Sequence, residues 1–275
     1  MKYILFSILA LALCIAAGIA AASWFARRKK RAGKAVSSGR RILLAGSVSL
    51  LLLGSACLGY FQIYYRAAPE AEAYLESSGS VTVSETEKGW FFDGPGTDSA
   101  VVFYPGGKVD AAAYAPLLFG LAERGEDCFL VEMPLRMALF DQDAAADLIA
   151  SADYGYDSWY LMGHSLGGVV AAGYAAEHPE DVDGVILLAA YPNVDVPDSL
   201  RLLSIYGTED GCLERDAYKQ GRENGPKDAA EQVIAGGNHA QFGDYGAQKG
   251  DGEASISPEE QRQETIDGIG EWLSR

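Results

Sequence analysis

Residues 158–176 read SWYLMGHSLGGVVAAGYAA, and no other stretch of this chain confines its fold so tightly. Trp159, Tyr160 and Leu161 form an apolar, aromatic run that predicts a buried strand, and Val169–Ala176 predicts a helix of small residues. Gly163-His164-Ser165-Leu166-Gly167 joins them, a G-x-S-x-G motif in the strand–turn–helix setting of a nucleophile elbow. A serine on so sharp a turn needs neighbours without side chains two residues to either side, so that strand and helix can nearly touch. The turn would hold the hydroxyl clear of the sheet, at the positive end of the helix. The plainer alternative is a glycine-rich turn with an idle serine.

The surrounding pattern extends this strand–helix unit. Strands are predicted at Ser80–Ser84, Gly89–Phe92, Ala100–Tyr104, Cys128–Glu132, Gly184–Ala190, Leu202–Tyr206 and Gln232–Ala235. Helices are predicted after Asp110, as its cap, to a stop at Gly125, then over Leu139–Ala152 and Cys212–Arg222. Ser257-Pro258-Glu259-Glu260 reads as a capping box that launches a last helix burying Ile266, Ile269 and Leu273. Strands apolar throughout, alternating with helices, predict the α/β class: a mostly parallel sheet covered on both faces.

The N-terminal quarter follows different rules. Tyr3–Phe25 and Ile42–Tyr65 are apolar runs long enough to cross a bilayer as helices, separated by Arg27-Arg28-Lys29-Lys30-Arg31, Lys34, Arg40 and Arg41. The positive-inside tendency sets that basic loop, residues 26–41, in the cytoplasm and everything after Arg66 outside. The expected organisation is a membrane anchor over 1–66, with spans at 3–25 and 42–65, a juxtamembrane segment over 67–79, and one domain over 80–275. The competing reading makes the first run a signal peptide cut near Ala20–Ser23, which its single leading Lys2 and its length fit poorly. Residues 67–275 carry all 38 acids against 12 bases, a net of −26. Such a surface repels nucleic acid and anionic headgroups, so the bilayer is expected as a partner only through residues 3–65. Cys14, Cys57, Cys128 and Cys212 suggest no disulfide, and no cluster has metal-ligand spacing, so neither metal nor cofactor is expected.

A serine hydroxyl is a poor nucleophile at neutral pH and needs a base held in turn by an acid. Of the three histidines, His164 lies inside the elbow with its side chain expected to point away from the nucleophile, and His178 ends the elbow helix. His239 follows the last strand on the edge where the elbow opens, and is the expected base. Glu209, Asp210 and Asp195 are candidate acids; the order Ser165, Asp210, His239 is the Ser…Asp…His order of α/β-hydrolases and favours Asp210. An oxyanion hole needs two backbone N–H groups. The N–H of Leu166 is one candidate, and Pro105-Gly106-Gly107-Lys108 offers the other, from Gly107 first and Lys108 next.

FYPGGKVDAAAYAPL, GHSLGG, SIYGTEDG and GGNHAQFGDYG together resemble the α/β-hydrolase fold-5 family, a branch akin to dienelactone hydrolases, over essentially all of 80–275. The resemblance implies a parallel-sheet hydrolase core and supports Ser165, Asp210 and His239 as the triad. It also implies that the loops Tyr104–Asp110 and Asn238–Gly246 border the site. Dienelactone hydrolases proper use a cysteine where this chain has Ser165.

Only Tyr191–Leu200 separates the sixth and seventh strands, where larger lipases insert a lid. An open site rimmed by Lys108, Tyr191, Phe242 and Tyr245 is therefore expected, acting on small or exposed acyl esters. The same residues would serve acyl transfer to an acceptor other than water. A reading from another class is a non-catalytic binding ectodomain on a hydrolase scaffold.

Overall fold

A computed structural model describes residues 2–96 and 99–275, with side chains from residue 10 onward. The chain divides into two units, Met1–Ile63 and Tyr64–Arg275. The first holds two helices, α1 (Lys2–Arg31) and α2 (Ser38–Phe61). Their apolar stretches, Ala10–Arg31 at mean hydropathy 1.6 and Ser38–Phe61 at 2.1, are long and apolar enough to cross a membrane. Helix α1 runs past Phe25 into the basic residues, since Ala, Arg and Lys are all good helix formers. Helix α2 ends at Phe61, short of the predicted Tyr65.

The second unit begins earlier than residue 80. Tyr65 leaves the apolar run and pairs as an isolated parallel bridge with Val109, its N–H donating to Lys108 O (2.8 Å) and its carbonyl accepting from Asp110 N–H (2.9 Å). Ala68 N–H donates to Asp244 O at 2.7 Å, and the short helix α3 (Pro69–Glu72) follows. Residues 67–79, expected as a separate segment, therefore fall within the second unit.

Eight strands form one sheet: β1 (Thr82–Thr86), β2 (Gly89–Asp93), β3 (Ser99–Tyr104), β4 (Asp127–Val131), β5 (Ser158–His164), β6 (Gly184–Leu188), β7 (Arg201–Gly207) and β8 (Ala230–Ile234). Their order is β1-β2-β4-β3-β5-β6-β7-β8. The pairs β1/β2 and β2/β4 are antiparallel, and every other pair is parallel. Register aligns the strand ends: Tyr104 faces Gly163, His164 faces Leu188, Leu188 faces Ile205, and Gly207 faces Ile234. The loops leaving these ends thus emerge along one edge, where ligands of open α/β sheets bind.

The central strands β3, β4, β5 and β6 bury both faces, as their unbroken apolar runs require, while the edge strands β1 and β8 are partly exposed. Val101, Phe103, Met162, Ile186 and Ile205 turn towards α4 (Ala115–Ala122) and α8 (Pro258–Leu273). Val102, Leu161, Val185 and Leu187 turn towards α5 (Ala144–Ile149) and α6 (Leu166–Glu177). The capping box at Ser257 and Glu260 forms in both directions.

Three predicted helices differ from expectation. Asp110 makes no side-chain cap, and a 3-10 turn over Ala111–Tyr114 precedes α4. The segment expected as one helix from Leu139 to Ala152 keeps only α5, after short turns at Pro134–Arg136 and Ala138–Phe140. Helix α7 (Arg215–Arg222) starts three residues later than Cys212, because the N–H groups of Cys212 and Leu213 donate instead to Asp210 Oδ1 (2.9 and 2.7 Å).

Among the described residues, five non-glycine residues have positive φ: Lys108, Leu135, Arg136, Ser165 and Ala189. They follow the ends of β3, β4, β5 and β6, strands adjacent in the sheet.

Candidate active site

Ser165 sits between β5 and α6 at φ 52°, ψ −121°, a region that non-glycine residues enter only when their surroundings force them. Its N–H is held by Leu188 O at 2.9 Å, and its hydroxyl is not used to cap α6. Gly163 and Gly167 make the turn sterically feasible. A Cβ on Gly163 would lie 2.5 Å from the Gly167 carbonyl carbon, and one on Gly167 would run into the carbonyls of Tyr104 and Pro105. Gly167→Ala is expected to destabilise the folded unit by about 3 kcal/mol or more, since backbone on both sides must shift. A thermal melt checks this; a melting temperature within 2 °C of wild type on the order-of-magnitude scale for a chain this size would contradict it.

His239 follows β8 and is 3% exposed. Its Nδ1 meets Asp210 Oδ2 at 2.9 Å, and the Asp210 carboxylate has no exposed surface. The turn after β7 fixes that carboxylate from the other side, with Oδ1 accepting from Cys212 and Leu213 N–H. The two other candidate acids are elsewhere: Asp195 is exposed, and Glu209 is an exposed neighbour bonded to Thr208 Oγ1 (3.0 Å). His178 is a half-exposed surface residue at the end of α6.

His164 departs from expectation. Met162 and His164 share the face of β5 that packs under α4 and α8, and the His239 loop lies over that face. The two imidazoles are therefore neighbours, with ring centroids 4.5 Å apart. His164 is fully buried; its Nδ1 lies 2.8 Å from Tyr114 Oη, the acceptor in reach of that phenol's proton, while the phenol oxygen accepts the Gly106 N–H at 3.1 Å. Burial first, and His239 beside it, hold His164 well below its ordinary pKa of 6.5, so it stays neutral. Above pH 6.5 the folded and unfolded chains bind the same number of protons here. Below it the unfolded chain takes up a proton that the folded chain refuses, so stability falls with acidification by up to ~1.4 kcal/mol per pH unit. Chemical denaturation of wild type and His164→Gln at pH 7, 6 and 5 is expected to show a steeper acid loss in wild type; parallel slopes would overturn the reading.

Hydrogen bonding sorts the oxyanion candidates. Pro105 has no N–H, Gly106 N–H is used by Tyr114, and Lys108 N–H donates to Arg136 O at 2.8 Å. The Lys108 amide is thus already engaged, which corrects its place among the candidate donors. Of these candidates the amides of Gly107 and Leu166 have no acceptor among the described residues, and the two residues adjoin: a Cβ on Gly107 would touch Leu166 Cδ2 at 3.0 Å.

The expected rim is also corrected. Phe242 (3% exposed) and Tyr245 (7%) belong to the core under α4 and α8, where Tyr245 Oη bonds Gln248 Oε1 at 3.0 Å. Burying an aromatic ring there outweighs displaying it, as long as the phenol finds a partner. Tyr191 lies over Gly221 of α7. Between β6 and β7 the connection carries no helix or strand. A recess of ≈ 700 Å³ lies behind the His239 loop, lined by Asn238, Gln241, Asp244 and Asp251, and does not include Ser165 or Gly107.

Asp251 is a residue that the sequence reading missed. Its Oδ1 accepts from Gly211 (3.0 Å), His239 (3.2 Å) and Gly252 (2.8 Å) N–H, and its Oδ2 from Ala240 N–H (2.8 Å). One carboxylate thereby ties the loop of Asp210 to the loop of His239. No local pattern marks it, since an aspartate between glycines reads as a turn.

A family model described as an alpha/beta hydrolase family matches residues 100–263. No curated protein matches the chain in sequence. In structure, a novel esterase from Mycobacterium tuberculosis aligns at TM-score 0.53 and 14% identity, covering 74% of this chain and 95% of that one. TT1662 from Thermus thermophilus aligns at 0.50 and 17%, covering 71% and 99%, and Est1E from Butyrivibrio proteoclasticus at 0.50 and 12%, covering 72% and 100%. At such identities these structures share the fold with this chain.

Proposed function

This chain belongs to the alpha/beta hydrolase family, and on that premise we propose that it is a membrane-anchored serine hydrolase of carboxylic esters, with Ser165, His239 and Asp210 as its triad. The observation that carries the reading is the buried His239–Asp210 pair (2.9 Å), whose imidazole lies 4.5 Å, centroid to centroid, from that of His164, the residue before the strained elbow serine. In the proposed reaction His239 Nε2 takes the proton from Ser165 Oγ as that oxygen bonds to the ester carbonyl carbon. Asp210 holds the Nδ1–H of the imidazolium. The carbonyl oxygen becomes an oxyanion and receives the N–H groups of Leu166 and Gly107, each worth roughly 3 kcal/mol in such sites. Collapse expels the alkoxide with the proton from His239, leaving an acyl-serine. Water repeats the sequence and frees the acid.

Two features support an open site for small or exposed acyl groups: the short β6–β7 connection and the absence of an inserted domain there. Residues 1–63 are proposed as the anchor, their two apolar helices joined by a basic loop on the cytoplasmic side, with the catalytic unit outside.

The test is labelling of the full chain in detergent with a fluorophosphonate probe, alongside Ser165→Ala. Labelling of wild type that vanishes in the variant is expected, together with faster turnover of acetate and butyrate esters than of a long-chain ester. No labelling of well-folded wild type would sink the serine hydrolase reading.

A further inference from the structure

We infer that Tyr64, Tyr65 and Arg136 form a clamp that positions the Gly107 N–H, so that the segment following the membrane helix is part of the oxyanion machinery. The inference rests on the proposed role of Gly107. Four contacts close a ring around the residue next to it. Tyr65 grips Lys108 and Asp110 through backbone on one side, pairing with Val109 between them. On the other side Arg136 O accepts the Lys108 N–H at 2.8 Å. The Arg136 guanidinium then lies 3.5 Å from the centroid of the Tyr64 ring, and Tyr64 adjoins Tyr65. Arg66 approaches the same ring at 4.9 Å. Tyr65 is itself anchored beyond the loop, its hydroxyl accepting the Lys249 N–H at 3.1 Å.

The backbone reports the same constraint. Lys108 (φ 60°) and Arg136 (φ 58°) both stand in the left-handed region and are bonded to each other, and Leu135 (φ 52°), just before Arg136, stands there too. Strain of this kind persists only where neighbours over-determine the conformation. Here the neighbours are the members of the ring. Its product is the direction of the Gly106–Gly107 peptide unit: the Gly106 carbonyl accepts the Val109 N–H at 3.2 Å, the amides of Gly106 and Lys108 tie down the units on either side, and the Gly107 N–H between them is thereby oriented. Met137 Sδ and the Leu166 side chain pack beside Gly107, where an added Cβ would meet them at 3.6 and 3.0 Å. The Tyr64–Arg136 contact is the one side-chain link in the ring, and so the one that substitution can open.

The test uses the full chain in detergent, with hydrolysis of p-nitrophenyl acetate, the rate of fluorophosphonate labelling and a thermal melt read on each variant. Tyr64→Ala and Arg136→Ala are each expected to lower kcat and the labelling rate by about 10- to 100-fold, the scale of a misplaced catalytic group, with KM within about twofold. The double variant is expected to lose no more than either single one, because both open the same link. Tyr64→Phe, which keeps the ring, is expected to retain wild-type kcat. Should an alanine variant melt early, Tyr64→Leu and Arg136→Gln serve in its place with the same expectations. Wild-type kcat in the single variants, or losses that multiply in the double one, would overturn the clamp while leaving the serine hydrolase intact. A wild type that reacts with neither ester nor probe removes the role of Gly107, and the clamp falls with it.

Discussion

His239→Ala is expected to lower kcat for ester hydrolysis by about 10⁶-fold, the scale seen when the base of a serine triad is removed. Without the imidazole the proposed base for the Ser165 proton is gone, and the proposed oxyanion donors alone would leave a residual rate well above that in water. The substitution is well suited to the question because the fold is expected to tolerate it. The Asp210 carboxylate exposed to the new cavity still accepts from Cys212 and Leu213 N–H, so no buried charge is orphaned. The loop also keeps its backbone bonds to Asp251, from His239 N–H and Ala240 N–H. Steady-state kinetics on a p-nitrophenyl ester, beside a melt, reads the effect. A loss under about 100-fold in a folded variant would be too small for a general base and would return the serine to the idle reading.

Asp210→Asn is expected to cost about 10⁴-fold in kcat while the melt changes little. The amide oxygen can take the place of Oδ1 and go on accepting the two turn amides, which points the amide nitrogen at His239 Nδ1. An N–H there makes Nδ1 an acceptor and moves the imidazole proton to Nε2, the atom that must take the serine proton. The geometry survives and the tautomer is wrong. Glu209→Gln, on an exposed side chain one residue away, is the matched control and is expected to leave kcat unchanged. Equal losses in the two variants would point to a general effect of charge near the site.

Much of this site could be read from the chain because its chemistry is written in local pattern. The elbow announces itself by the two glycines that its backbone needs, and the strands by apolar runs that only a doubly covered sheet can bury. Asp210 and His239 follow from their positions after β7 and β8. What escaped was set by tertiary contact. Phe242 and Tyr245 look like rim residues because they sit in a glycine-rich loop, but that loop folds inward over α4 and α8. His164 was expected to turn away from the site, and the alternation of β5 instead carries it beneath His239. Asp251 and the Tyr65–Val109 pairing join segments 40 and more residues apart (Gly211 with Asp251, Tyr65 with Val109), and no window of sequence contains both partners. The predicted helix over Leu139–Ala152 is shortened because a turn at Ala138–Phe140 takes up its start, leaving only Ala144–Ile149 helical.

The five left-handed non-glycine residues, gathered past the ends of four neighbouring strands, bear on how this enzyme could be hardened. Replacing a strained side chain by glycine ordinarily relieves the folded backbone, and a screen for heat resistance would be drawn to these positions first. Here they include Ser165, the proposed nucleophile, and Lys108 in the loop proposed to supply an oxyanion donor. The substitutions that raise the melting point most readily are thus the ones that let the reacting groups wander. Durable variants with full turnover are better sought on the opposite edge of the sheet, where relaxation of the backbone reaches nothing that must be aimed.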